Sequence, residues 1–172
     1  MSFEHAQKIS VIVPACNAEF YIARCLDSLL QNTIKPFEIL VVDDHSADGT
    51  AVAVEEYKNR IVKLVKMSSR SGAGAARNYG IEAASGTLLF FIDSDCVAAP
   101  DWIERGVEAF RNADVIGLFG AIYYERTPCQ IREKIPVNPF YHSPLVNPVN
   151  DKFPDFAAGN VAYRAEVARR LG

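Results

Sequence analysis

A three-layer α/β/α sandwich around a mostly parallel sheet is the fold class this chain predicts, and three observations carry it. Its strand-like runs are apolar at consecutive positions rather than alternating, as in strands covered on both faces. Those runs alternate with helical patterns in the order β-α-β-α-β-α-β-α-β, the pattern of an α/β domain with right-handed crossovers. Two of them also empty straight into acid: Glu38-Ile39-Leu40-Val41-Val42 into Asp43-Asp44-His45-Ser46, and Leu88-Leu89-Phe90-Phe91-Ile92 into Asp93-Ser94-Asp95. Open α/β sheets bind their ligands at the carboxyl edge, so both acidic clusters are expected at one site.

The elements follow in order. Ile9 to Val13 reads as a strand stopped by Pro14, and Asn17 is a helix-start residue type ahead of Ile22, Leu26, Leu29 and Leu30, one apolar helical face. After the strand Glu38 to Val42, Ser46-Ala47-Asp48-Gly49-Thr50 is a turn, with Asp48 placed to cap a helix through about Tyr57. Ile61 to Met67 is a third strand, followed by the loop Ser68 to Gly74. The next helix aligns Ala76, Gly80, Ala83 and Ala84, a stripe small enough to lie close against the sheet. Ser85-Gly86 ends that helix before the strand into Asp93. Pro100 fits the first turn of a helix to about Arg111, and Ala113 to Ile122 reads as a fifth strand.

Beyond Glu125 the texture changes: six prolines lie between Pro128 and Pro154, so residues 126–156 are expected to be irregular and partly extended. Phe156 to Asn160 and a short helix from about Arg164 to Leu171 close the chain. One domain over 1–172 is expected, with its core at 8–125, the irregular segment at 126–156 and a closing segment at 157–172.

Composition excludes several classes. A chain of 172 residues that is 49% hydrophobic and 23% charged is ordinary for a globular protein with a sizeable core. Its net charge of −3 argues against a nucleic-acid binder held by phosphate contacts. Cys16, Cys25, Cys96 and Cys129 form no CxxC pair, and His5, His45 and His142 lack zinc-ligand spacing, so the cysteines read as free packing thiols in a reducing compartment. Met1 to Lys8 has no apolar stretch after a basic start, and no run approaches the ~20 apolar residues of a membrane span. The expectation is a soluble, cytoplasmic protein, at a membrane face if the full-length protein has further segments.

The chemistry lies in the acids. Carboxylates at i and i+2 on a chain still extended point to one side, which would let Asp93 and Asp95 hold Mg²⁺ or Mn²⁺ beside substrate phosphates and water. The bland alternative is two solvated acids capping the next helix. Asp43 should point opposite to Asp44, as a turn acid or toward a bond behind the site. Gly72 and Gly74 superficially suggest a dinucleotide fingerprint, but Arg77 occupies the third glycine's place.

Taken together, Ile9-Ser10-Val11-Ile12-Val13-Pro14-Ala15-Cys16-Asn17, Val42 to Thr50, Gly74-Ala75-Ala76-Arg77-Asn78-Tyr79-Gly80 and Phe91-Ile92-Asp93-Ser94-Asp95 resemble glycosyltransferase family 2. These are inverting transferases with the GT-A nucleotide-sugar fold. Gly159-Asn160 with Tyr163-Arg164 is similar to the family's later glycine-asparagine segment, and the matches run in family order.

The resemblance implies a nucleotide site formed by Pro14, Ala15, Cys16, Asn17, Asp44, Arg77, Asp93 and Ser94. Asp44 takes the place of the acid that reads the base, and a carboxylate suits the ring N–H of uracil, although guanine offers N–H donors too. A UDP-sugar donor is thereby favoured. Asp95 resembles the metal-binding acid of the Asp-x-Asp motif, with Asp93 facing the ribose or the metal's water shell. Arg77 falls where members place a basic residue near the diphosphate, though a plain surface arginine fits the position as well. Gly159 and Asn160 match the sugar and acceptor region. A divalent cation would neutralise charge growing on the departing diphosphate.

Three departures stand out. Cys16 replaces an aromatic residue that stacks on the base, so either base affinity is lower or Phe20 or Tyr21 supplies the stack. Cys96 replaces a third acid. The family's general base lies well beyond the glycine-asparagine segment, whereas Asp151 and Asp155 precede it, so the base is expected beyond Gly172. The chain then reads as the donor-binding half of a transferase. The alternative is a non-catalytic nucleotide-sugar-binding domain. A phosphoacceptor signalling domain is disfavoured because Ile122 to Glu125 lacks the expected lysine.

Overall fold

In the computed structural model the apolar runs become the central strands of one sheet. The structure describes residues 7–58, 61–120 and 159–171. The elements are β1 (Ile9–Ala15), α1 (Ile22–Leu30), β2 (Glu38–Asp43), α2 (Thr50–Glu55), β3 (Val62–Lys66), α3 (Ala73–Ala83), β4 (Leu88–Ile92), α4 (Trp102–Ala109), β5 (Gly117–Phe119), β6 (Asn160–Arg164) and α5 (Ala165–Leu171). Every residue of β1, β2 and β4 is buried, as their unbroken apolar runs require.

The sheet order is β3-β2-β1-β4-β6-β5. β1 pairs in parallel with β2 and β4, and β2 with β3. β6 is antiparallel to both β4 and β5. The chain therefore returns between two strands, a pairing that no local pattern announces. Five residues, Asn160–Arg164, are strand where the sequence suggested only the approach to a helix. Of the expected fifth strand, Gly117–Phe119 is strand and residues 121–122 lie outside the described residues. It starts late because a turn at 113–114 precedes it, with Val115 N–H on the Asn112 carbonyl.

Two apolar layers flank the sheet. Ile22, Leu26 and Leu29 of α1 pack with Trp102, Ile103 and Phe110 around Val11, Val13 and Phe90 on one face. Phe90 meets Trp102 edge-on at 5.2 Å and Phe110 at 6.4 Å, geometries that aromatic rings favour. On the other face Ala76 of α3 and Ala165 and Ala168 of α5 pack with Ile12, Leu40 and Val42. Gly80 marks the closest approach there: a Cβ would stand 2.5 Å from Ile12 Cγ2. Ala76 and Ala84 share this buried face, but Ala83 points to solvent.

Other boundaries differ locally. α1 starts at Ile22, and Asn17 sits in the loop before it in a left-handed conformation (φ 52°) and not at the helix start. α4 starts two residues after Pro100, at Trp102. Asp48 lies one residue before the Gly49 cap of α2, yet its carboxylate accepts both Thr50 N–H and Thr50 O–H. At the amino edge of the sheet, buried Glu38 accepts bonds from Ser10 Oγ (2.6 Å), Ser85 N–H (2.7 Å) and Lys63 Nζ (2.8 Å). Burial opposes its charge, but these three donors hold its carboxyl below the usual range.

Candidate functional site

β1, β2 and β4 are neighbours in the sheet and end side by side, and their exit loops enclose a cleft of about 320 Å³. Pro14, Ala15, Cys16 and Asn17 form one wall. Asp44 enters from β2, Arg77 from α3, and Asp93, Ser94 and Asp95 from β4. Tyr21 reaches the cleft, whereas the neighbouring Phe20 is 85% exposed and does not line it. Gly159 and Asn160 also lie outside the lining; they stand behind Asp93.

The loops after β1 and β2 are stitched together. Asn17 Oδ1 accepts Ala47 N–H at 2.9 Å, Asn17 N–H bonds Ser46 Oγ at 3.0 Å, and Ala18 N–H bonds Thr50 Oγ1 at 2.7 Å. Glu19 closes the set by accepting Gly49 N–H at 3.1 Å. Asn17 and His45 both sit at positive φ, 52° and 55°, which non-glycine residues rarely adopt.

Asp43 and Asp44 diverge as alternation along β2 demands. Asp43 Oδ1 accepts Ser46 N–H at 3.1 Å and caps the turn. Asp44, only 2% exposed, accepts Ser71 N–H at 2.7 Å and Gly72 N–H at 2.8 Å. Its charge thus sits at the start of α3, the positive end of the helix dipole. Gly72 has φ 91°, so the clamp depends on a conformation that favours glycine. These two amides were not legible beforehand, since Ser68 to Gly74 reads simply as a loop.

The Asp93-Ser94-Asp95 segment is not extended. Cys96 N–H bonds the Asp93 carbonyl at 3.0 Å, closing a turn, so the two carboxylates reach the same cleft from a turn and not by strand alternation. Asp93 Oδ1 takes the Arg77 guanidinium, whose side chain is 18% exposed and whose buried Nε has no hydrogen-bond partner among the described residues. Asp95 is exposed, and among the described residues its carboxylate is engaged only by the Cys96 thiol, at 3.7 Å. Among the described residues no cluster of three or more His, Cys, Asp or Glu is placed to hold a metal by itself. An exposed carboxylate that meets only a weak thiol donor fits a hard cation that takes most of its ligands from phosphates and water.

The cysteines are free thiols among the described residues. Cys16 Sγ points to the Asp44 carbonyl at 3.4 Å. Burial pushes the Cys25 thiol far up, and burial with the Asp95 and Asp93 carboxylates pushes Cys96 up to about 11, so both stay protonated at neutral pH. Cys129, His5, His142, the 126–156 segment, Asp151 and Asp155 lie outside the described residues. So do Ile122 to Glu125. No described helix is long and apolar enough to cross a membrane.

Sheet order, layers and the acid-lined cleft at the carboxyl edge define a GT-A nucleotide-sugar transferase fold. S. aureus TarS residues 1–349, solved in complex with UDP, superposes over 95% of this chain and 48% of its own, with a TM-score of 0.72 and 26% identity. Glucosyl-3-phosphoglycerate synthase from Mycobacterium tuberculosis, solved with Mn²⁺, UDP and glucosyl-3-phosphoglycerate, gives a TM-score of 0.58 and 26% identity over 70% of this chain and 45% of its own. Residues 10–172 match the Glycosyl transferase family 2 pattern, and the chain belongs to that family. The Escherichia coli UDP-Glc:alpha-D-GlcNAc-diphosphoundecaprenol beta-1,3-glucosyltransferase WfgD is 32% identical over 112 residues, 65% of this chain and 44% of the relative. Across the curated relatives compared, the matched stretch spans 14% to 53% of their length.

Proposed function

We propose that the cleft binds a nucleoside diphosphate sugar, a UDP-sugar in the first instance, and that the whole protein transfers the sugar to an acceptor hydroxyl with inversion. The observation that carries this reading is the convergence of Asp44, Arg77, Asp93 and Asp95 on one cleft beside the Pro14–Asn17 wall. Asp44 keeps lone pairs free beyond its two amide bonds and accepts the base N–H. Cys16 is too small to stack on a base, so Tyr21 supplies the aromatic face at the mouth. Arg77, whose Nε has no hydrogen-bond partner among the described residues, is the cation that meets diphosphate oxygens. Asp93 takes ribose hydroxyls or water around a cation, and Asp95 holds Mn²⁺ or Mg²⁺. Bound there, the cation supplies Lewis-acid neutralisation of the leaving diphosphate.

Support comes also from relatives: TarS was solved with UDP and the mycobacterial synthase with Mn²⁺ and UDP, while WfgD is described as a UDP-Glc-dependent enzyme forming a beta linkage. The carboxylates lining the cleft among the described residues are those three aspartates, each already given a donor-side role. The base that deprotonates the acceptor is therefore assigned to none of the described residues. The test is calorimetry of this chain with UDP, GDP and their sugar conjugates, with and without Mn²⁺. Mn²⁺-dependent uptake of UDP is expected. A chain that binds no nucleoside diphosphate under any of these conditions overturns the proposal.

A further inference from the structure

Gly159 precedes β6 directly. It does not adopt a positive φ, so no backbone demand selects glycine there. Space does. A Cβ at this position would stand 2.6 Å from the Asp93 carboxyl carbon and 3.3 Å from Asp93 Cβ, and closer still to Oδ2. The Gly159 carbonyl faces Asp93 N–H at 3.4 Å, while the other carboxylate oxygen, Oδ1, is held by Arg77. The Asp93 carboxylate thus lies in a slot between a guanidinium and a bare stretch of backbone.

The bare backbone is itself anchored. Asn160 sits opposite Ile92 in the β4–β6 register, and its Oδ1 accepts Trp102 Nε1–H at 2.9 Å. Trp102 is 2% exposed and packs edge-on against Phe90.

We infer that Gly159, braced by Asn160 and Trp102, is a positioning residue for Asp93: it keeps the carboxylate turned to Arg77 and the cleft without touching the donor. This rests on the reading of Asp93 as a donor-site acid. The nearest atoms a methyl would meet belong to the short Asp93 side chain and not to backbone, so the carboxylate rotates aside while the strand stays in place. The rotation takes Oδ1 off Arg77, so the loss falls on ligand binding and not on stability.

The experiment is a double-mutant cycle of Gly159→Ala and Asp93→Ala, read by UDP titration at several Mn²⁺ concentrations. Gly159→Ala is expected to weaken Mn²⁺-dependent UDP binding by roughly 10- to 100-fold, the range seen when a group orienting a ligating side chain is lost. In the Asp93→Ala background the same methyl should change binding by less than about twofold, because its target is gone. Parent-like binding by Gly159→Ala, or losses that multiply in the double variant, overturns the inference. Should the parent bind no UDP, or Asp93→Ala bind it normally, the reading of the cleft fails. The Arg77 Nε–H resonance of the ligand-free proteins then decides: movement in Gly159→Ala toward its Asp93→Ala position sustains the positioning role, and an unmoved resonance overturns it.

Discussion

Asp44 and Asp95 line the same cleft in opposite circumstances. Asp44 is 2% exposed with two backbone amides on its carboxylate, while Asp95 is exposed and, among the described residues, engaged only by a thiol at 3.7 Å. The β2 half of the site is built into the fold: its acid helps to hold the loop before α3. The β4 half is left open, so its acid is free for a ligand. Removing the first should therefore harm the protein, and removing the second only what the protein binds.

The largest effect tests that contrast from the open side. Asp95→Ala should lower Mn²⁺-dependent UDP binding by about 100-fold, some 2.7 kcal/mol, while unfolding free energy shifts by no more than about 0.5 kcal/mol. Calorimetry and urea unfolding on one preparation check both halves; a clear stability loss would break the comparison.

From the built side, Asp44→Ala should destabilise the chain by about 1.5–3 kcal/mol, since a charged acceptor is withdrawn from two amides. Urea unfolding measures this, and a stability equal to the parent's would put Asp44 in the same category as Asp95. A gentler probe is Gly72→Ala. Among the described residues nothing lies within 4 Å of the added methyl, so the backbone (φ 91°, ψ 162°) is what resists it, at about 1–3 kcal/mol. The Asp44 clamp should loosen with it, visible as faster amide exchange at Ser71 and at position 72.

The smallest effect lies at the far edge of the sheet. Glu38 has its carboxyl held below the ordinary range by Lys63, Ser10 and Ser85, against the opposing effect of burial. A depressed folded-state value means stability that is present above the unfolded glutamate pKa of about 4.3 and is lost as pH falls through the lower folded value. Glu38→Gln should flatten the stability profile in that acid window and leave metal-dependent UDP binding unchanged. A profile as steep as the parent's would remove Glu38 from the account.

Much of the site was legible because it follows from local rules. Asp43 and Asp44 diverge because alternation is a property of any strand, and the small stripe Ala76–Gly80 lies on the sheet because glycine and alanine permit it. The same rule does not reach Asp93 and Asp95: the chain turns as soon as β4 ends, and both acids line the cleft through that turn and not through alternation. Ala83 departs from expectation because the stripe was drawn slightly too wide for the face that α3 presents.

Strand identity in β1, β2 and β4, the mostly parallel class and the acids at the strand ends were fixed by residue order alone, since an unbroken apolar run that ends in carboxylates has few other stable placements in water. Tertiary structure decided the rest. β6 becomes a strand because β4 and β5 offer unpaired backbone to either side of it, and neither partner is close to it in sequence. Asp44 acquires its amides from residues 27 and 28 positions away, and Asp93 its bare floor from Gly159, 66 positions on. Such contacts bring together groups whose separation along the chain carries no periodicity, so only the packed sheet and its loops could show which backbone each carboxylate meets.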